Sequence, residues 1–262
     1  MFLMKCFVPR CLLIVLCFFV LSFSLKAESV FSLNLERDIV ISVFAIGLSV
    51  GSFFLETPPD HIPNTLNRND INSLDRSLMV TQRSATIRHI SDVTVAGLAF
   101  LPLLSIPDYR NGNTLLTYGI MYLQAVLLSQ GTENLIKANV TRWRPYLYDD
   151  RELRPKDRND SFPSGHTCSA FLSATFFSTT FAMEYPDSRW KWPAIIGSHS
   201  LAAAVGVMRM SAGMHFFTDV LAGAAIGSLY GWLIPYVHRN RNSENDFPII
   251  LTGNALLVSL KF

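Results

Sequence analysis

The chain has 262 residues, of which 50% are hydrophobic and only 16% charged, whereas about 25% are charged in a typical soluble domain. That balance points to a membrane-associated chain, and a net charge of +2 excludes bulk attraction to nucleic acid. Three of the four cysteines, Cys6, Cys11 and Cys17, lie near the N-terminus, leaving Cys168 alone in the body of the chain. No Cys/His spacing suggests a zinc site.

In chain order, residues 1–27 read as a secretory signal. Lys5 and Arg10 supply a positive start, and Cys11–Leu25 is an apolar run too short to span a bilayer comfortably. Six apolar stretches follow: Ile39–Leu55, Ser91–Ile106, Leu115–Gln130, Thr167–Met183, Pro193–Met208 and Phe216–Val237. Small residues recur within them, such as Ser169, Ser173, Gly223 and Gly227, as they do where membrane helices approach closely. Two polar segments, 58–90 and 138–165, interrupt the pattern. Pro58, Pro59 and Pro63 in the first block helix. Trp190 and Trp192 beside Arg189 and Lys191 read as interfacial anchors. After Arg239, Phe247–Thr252 and Ala255–Phe262 flank Gly253-Asn254, which suggests a hairpin. The expected architecture is therefore all-α: a membrane-embedded bundle of about six helices over 28–240, with a β-hairpin tail at 241–262.

Three segments at the ends of these helices carry the chemistry. In the first, Lys137 and Arg144 are seven apart and share a face if the helix continues, before Pro145 turns the chain. Two cations at the mouth of an apolar helix are costly unless an anion sits between them. In the second, Pro163-Ser164-Gly165-His166 permits a tight turn into a helix, whose first backbone N–H groups bind anions. Thr167 is the alternative as an ordinary N-cap. In the third, Arg209 is followed by His215 and Asp219, four apart and so on one helical face. A carboxylate bonded to one imidazole nitrogen would leave the other free to attack. Three cations, two histidines and one carboxylate are the equipment of phosphoryl transfer.

These segments resemble the three signature motifs of the type 2 phosphatidic acid phosphatase superfamily: Lys-x6-Arg-Pro, Pro-Ser-Gly-His and Ser-Arg-x5-His-x3-Asp. The resemblance runs from about residue 38 to 238, with the motifs in family order. It implies a metal- and cofactor-free phosphatase acting on a lipid phosphate or pyrophosphate through a phospho-histidine. By the resemblance, His215 is the nucleophile, Asp219 its orienter and His166 the general acid and base. Lys137, Arg144, Arg209 and the amides around Ser164 and Gly165 hold the phosphate. The superfamily also contains soluble periplasmic acid phosphatases and vanadium haloperoxidases that share this anion pocket. Met208 stands where the family has a serine that helps hold the phosphate. The implied location is a cell membrane, such as a bacterial inner membrane, with the site facing the periplasm or exterior. Parity complicates that placement: three spanning helices before Arg144 would put the site inside if residue 28 begins outside.

Overall fold

The computed structural model describes residues 29–55, 66–149, 160–240, 249–252 and 255–258; the expected signal at 1–27 lies outside them. The described residues form seven α-helices and a short antiparallel strand pair. In chain order the helices are α1 (Leu35–Phe53), α2 (Ser73–Leu78), α3 (Ala85–Leu98), α4 (Gly112–Asn139), α5 (Gly165–Glu184), α6 (Lys191–Ser211) and α7 (Phe217–His238). The strands are β1 (Ile249–Thr252) and β2 (Ala255–Val258), with Thr252 opposite Ala255, as the Gly253-Asn254 link suggests.

Each of the six apolar stretches is a helix, and the polar flanks explain the differences in extent. Asn34 caps α1 by accepting from the Arg37 N–H at 3.0 Å, while Glu36 and Asp38 complement the dipole of its first turn. The polar segment 58–90 is more helical than its composition suggests. Asn72 caps α2 through the Asp75 N–H at 2.9 Å, and Ser84 caps α3 through Ile87 at 3.3 Å. The helix α3 thus begins six residues before the apolar run at Ser91, and a 3₁₀ turn, Leu101–Ser105, extends it.

The centre of the bundle is the pairing of α5 with α7. Gly223, Gly227 and Gly231 lie four apart and face the α5 backbone near Ser164, Cys168 and Leu172. A Cβ on Gly227 would approach Leu172 N to 2.8 Å and overlap the Cys168 carbonyl, so glycine lets the two backbones touch. Around this pair, Tyr118, Met121, Ala125 and Leu128 of α4 pack with Leu172, Phe176 and Ile234. A second cluster joins Leu98, Ala170, Ala174, Ala202 and Val205.

The outer surface is apolar instead of charged. Val40, Val43 and Phe44 on α1 are 68%, 65% and 64% exposed, and Val93, Ile196, Val207 and Leu221 are similarly open. An exposed apolar belt of this extent belongs against lipid. Among the described residues, Ala85–Ser105 and Phe217–His238 are long and apolar enough to cross a membrane.

The helices alternate in direction. The starts of α3, α5 and α7 and the ends of α4 and α6 meet at one end of the bundle. At the other end, Ser32 N–H bonds the His238 carbonyl at 3.0 Å, Phe31 bridges Arg239, and Tyr118 donates to Glu184 at 3.0 Å. Residue 31 and the three motif segments therefore lie at opposite ends, separated by α1, α3 and α4.

Candidate active site

Each of the three segments is delivered by a different device. Lys137 sits in the last turn of α4 and donates to Glu133 at 2.5 Å. The helix ends at Asn139, so the shared helical face expected for Lys137 and Arg144 does not form. Arg144 instead arrives on a loop that runs beside 160–161, where Arg142 bridges Asp160 and the Ser161 N–H bonds the Arg142 carbonyl at 3.0 Å. Arg144 is buried. Its Nε and Nη2 donate to Asp160 Oδ1 at 3.2 and 2.8 Å, and its Nη1 donates to the Met214 carbonyl at 3.1 Å.

The second segment turns at a cis Phe162–Pro163 bond and starts α5 with Ser164 as N-cap residue. Ser164 Oγ lies 2.9 Å from Thr167 Oγ1, and its N–H is already committed to the Asp219 carbonyl at 3.0 Å. The N–H groups of Gly165 and His166, the first residues of the helix, have no acceptor within it. Gly165 has no room for a side chain, because a Cβ there would collide with the Glu133 carboxylate. The Glu133–Lys137 pair is thereby seated against the start of α5.

The third segment begins with Arg209 in the last turn of α6. Its Nη1 donates to Ser91 Oγ at 3.2 Å and to Asp92 Oδ1 at 3.0 Å, and the same Asp92 oxygen lies 2.9 Å from His166 Nε2. Gly213, at φ +70°, then reverses the chain in a conformation that favours glycine. Met208 packs with the cluster of Leu98, Ala202 and Val205.

His215 is 3% exposed and precedes α7, so it does not share a helical face with Asp219. Its Nδ1 lies 2.8 Å from the Ser161 carbonyl and 3.7 Å from Asp219 Oδ2. The hydrogen bond that sets the tautomer is thus made to Ser161, and the expected direct bond to Asp219 is absent. With its proton on Nδ1, the ring presents an Nε2 lone pair, which faces Arg144 Nη1 at 3.3 Å. Burial, then the charges of Arg144, Arg209 and Lys137, hold the His215 pKa well below its ordinary 6.5. The ring is neutral at physiological pH.

Asp219 organises the floor of the site. Its Oδ2 accepts from Ser161 Oγ at 2.6 Å and from the Phe216 N–H at 2.8 Å, and its Oδ1 accepts from Arg142. Arg142 also donates to Asp75 Oδ2 at 2.5 Å and to Thr218 Oγ1 at 2.7 Å, and lies 4.3 Å over the Phe216 ring. Burial opposes ionisation of Asp75, but bonds from Thr218, Arg142 and Asn72 outweigh it and hold its pKa low. For Asp160, burial is likewise outweighed by the charges of Arg144 and Lys137.

All eight sequence-predicted residues, Lys137, Arg144, Ser164, Gly165, His166, Arg209, His215 and Asp219, lie at this end of the bundle. Sequence reasoning missed Asp75, Asp92, Glu133, Arg142, Asp160, Ser161 and Thr218. The one available signal was that Asp92, Glu133 and Arg142 are charged residues at the edges of apolar helices, where a charge needs a partner. Among the described residues no group of three or more His, Cys, Asp or Glu is placed to hold a metal ion.

Residues 118–243 match the family described as PAP2 superfamily. Similar curated proteins include lipid A 1-phosphatase of Porphyromonas gingivalis, 36% identical over 103 residues, which are 37% of this chain and 22% of that protein. Phosphatidylglycerophosphatase B of Bacillus subtilis is 30% identical over 110 residues, 42% of this chain and 54% of that protein. The chain thus spans about a fifth and about half of these relatives. A solved transmembrane PAP2-type phosphatidylglycerolphosphate phosphatase from Bacillus subtilis is 20% identical, with a TM-score of 0.45, covering 76% of this chain and 94% of its own.

Proposed function

From the match of residues 118–243 to the PAP2 superfamily we propose that this chain is a metal-independent phosphatase acting on a phosphate or pyrophosphate monoester of a lipid. The observation that carries the reading is the state of His215. Its proton is held on Nδ1 by Ser161, its Nε2 lone pair is free of a proton, and Arg144 stands beside that lone pair. Both relatives are named as phosphatases of lipids, and the exposed apolar belt favours a substrate whose tail stays in the bilayer over a small soluble ester.

In the proposed reaction, Nε2 of His215 attacks phosphorus and the bond to the leaving oxygen breaks, with His166 supplying the proton to that oxygen. Water, deprotonated by His166, then cleaves the nitrogen–phosphorus bond and releases phosphate. Lys137, Arg144, Arg209 and the first amides of α5 bear the equatorial oxygens. Asp92 links His166 to Arg209. A phosphate entering between those two residues would replace Asp92 and free His166 for proton transfer. Asp219 fixes the Ser161 carbonyl and stabilises the cationic phospho-imidazole by charge.

The test is phosphate release from a panel of lipid phosphates by the purified full chain. Turnover is expected in excess EDTA, with inhibition by vanadate, and His215→Ala is expected to abolish it. Phosphate trapped on histidine by an acid-free quench supports the intermediate. Activity that needs added Mg²⁺, or normal rates in His215→Ala, overturns the mechanism.

We also propose that the site faces outward, which puts the end containing residues 29–34 at the cytoplasmic face and sets aside the reading of 1–27 as a cleaved secretory signal, since cleavage would start residue 28 outside. A cysteine at Asn139, near the site, should react with a membrane-impermeant maleimide in intact cells, and one at Asp187 should not. The reverse pattern would place the site inside.

A further inference from the structure

The three cations assigned to the phosphate each face a carboxylate: Lys137 faces Glu133, Arg144 faces Asp160, and Arg209 faces Asp92. A fourth cation at this end of the bundle does not. Arg88 lies in the first turn of α3, one turn before Asp92 and on the same face. The carboxylate of Asp92, one turn on from Arg88, accepts from Arg209 Nη1 at 3.0 Å, which sets this face of α3 against Arg209. Arg88 forms no ion pair among the described residues, and its Nε is buried without a hydrogen-bond partner there. The Nε of Arg209 is in the same condition. Buried donors are almost always satisfied, and two neighbouring cations repel unless an anion lies between them. The fold itself does not explain the pair: the Ser91 hydroxyl and the Asp92 carboxylate on the same helix turn to Arg209 Nη1 and leave both Nε groups unserved.

The position has a direction. Asp92, next to Arg88 on α3, contacts His166 Nε2 at 2.9 Å, whereas the side chain beside His215 Nε2 is Arg144. Arg88 therefore stands on the flank of the proton donor and not on that of the nucleophile. That flank receives the leaving group.

We propose that Arg88 and the Nε of Arg209 form a second anion subsite, which binds the phosphoryl group on the leaving side of a lipid diphosphate. This deepens the phosphatase reading and rests on it. The terminal phosphoryl goes to His215, the bridging P–O bond breaks, and the bridging oxygen takes the His166 proton and leaves on the lipid monophosphate. Arg209 is shared, with Nη1 toward the transferred group and Nε toward the one that departs. Sharing of that kind requires two phosphoryl groups separated by a single oxygen, which a diphosphate supplies.

The experiment compares a prenyl diphosphate with the prenyl monophosphate of the same chain length, using the purified full chain in detergent. Wild type is expected to have the higher kcat/KM on the diphosphate. Arg88→Gln is expected to reduce the diphosphate-to-monophosphate ratio of kcat/KM by about tenfold or more, the effect of losing a charged hydrogen bond. Arg88→Lys, which keeps the charge without Nε, should fall between, and it carries the same comparison if Arg88→Gln does not fold. Inorganic pyrophosphate should likewise inhibit wild type more tightly than orthophosphate, with the gap narrowing in either variant. A ratio unchanged by substitution, or a wild-type preference for the monophosphate, overturns the subsite. Wild type that releases phosphate from neither lipid overturns the phosphatase reading itself.

Discussion

Arg142 offers the sharpest test of how the site is held. It joins two carboxylates, Asp75 and Asp219, that are each 0% exposed. Arg142→Met would remove the shared cation and leave both charges buried. Breaking a buried ion pair costs about 3–5 kcal/mol. Asp75 would keep the Thr218 N–H at 2.9 Å, Thr218 Oγ1 at 2.6 Å and Asn72 Nδ2 at 2.6 Å. Asp219 would keep Ser161 Oγ at 2.6 Å and the Phe216 N–H at 2.8 Å. Those remaining donors put the expected loss at the lower end, about 3 kcal/mol. For a chain of this size that corresponds to a drop in thermal midpoint of roughly 6–12 °C. Turnover should fall too, because Asp219, which accepts from Ser161 Oγ, loses its cation. The double variant Arg142→Met/Asp75→Asn removes one orphaned charge and should recover part of the midpoint. Thermal unfolding in detergent, read beside phosphate release, measures both effects. A single variant within about a degree of wild type, or a double variant no better than the single, would refute the assignment of Arg142 as the anchor.

Three further outcomes follow from the packing and the charges. His215 binds its proton less readily in the folded protein than at its ordinary pKa of 6.5. Below about pH 6.5 the unfolded chain takes up a proton that the folded chain does not, so stability falls as pH drops from there toward the folded pKa, and is unaffected by this group above it. Thermal midpoints from pH 5 to 8 should show a shallower acid decline in His215→Gln than in wild type, and equal declines would contradict the burial argument. Gly227→Ala places a methyl against Cys168 O and Leu172 N of α5; overpacking of that kind should cost about 1–3 kcal/mol, and an unchanged midpoint would mean that the two helices can part at no cost. Met208→Ser should lower the thermal midpoint and leave vanadate inhibition unchanged, since Met208 fills the apolar cluster of Leu98 and Val205; tighter inhibition would show that the serine reaches the phosphate.

The helices were legible because their apolar stretches are long. Their polar ends were less legible: α1 starts after Asn34, ahead of the apolar run at Ile39, and α4 runs on past Gln130 to Asn139. What escaped was helix made of polar residues. Ser73–Leu78 and the first turn of α3 carry Asp75, Arg76 and Arg88, and no apolar periodicity reveals them. Those polar turns lie at the end of the bundle that holds the motif segments and supply Asp75 and Arg88. A reading that follows hydrophobicity passes over them because their partners are other charges, brought together only by the fold.

The motif residues were legible as a set, since their spacing is local, but the roles within the set depend on where a helix begins. His215 and Asp219 are four apart, which predicts a direct carboxylate–imidazole contact if both are helical. The helix α7 starts at Phe217 instead, and Asp219 turns its Oδ2 back to the Phe216 N–H at 2.8 Å and to Ser161 Oγ at 2.6 Å. His215 then finds its acceptor in the Ser161 carbonyl at 2.8 Å. The carboxylate holds Ser161, and Ser161 holds the ring. A neutral carbonyl can fix the tautomer, but it adds little charge against the cation that forms when Nε2 bonds phosphorus. In the proposed reaction Asp219, 3.7 Å from Nδ1, would supply the charge that the carbonyl cannot. Orientation and charge stabilisation, which a single residue would provide if it bonded the imidazole directly, would then be divided between Ser161 and Asp219.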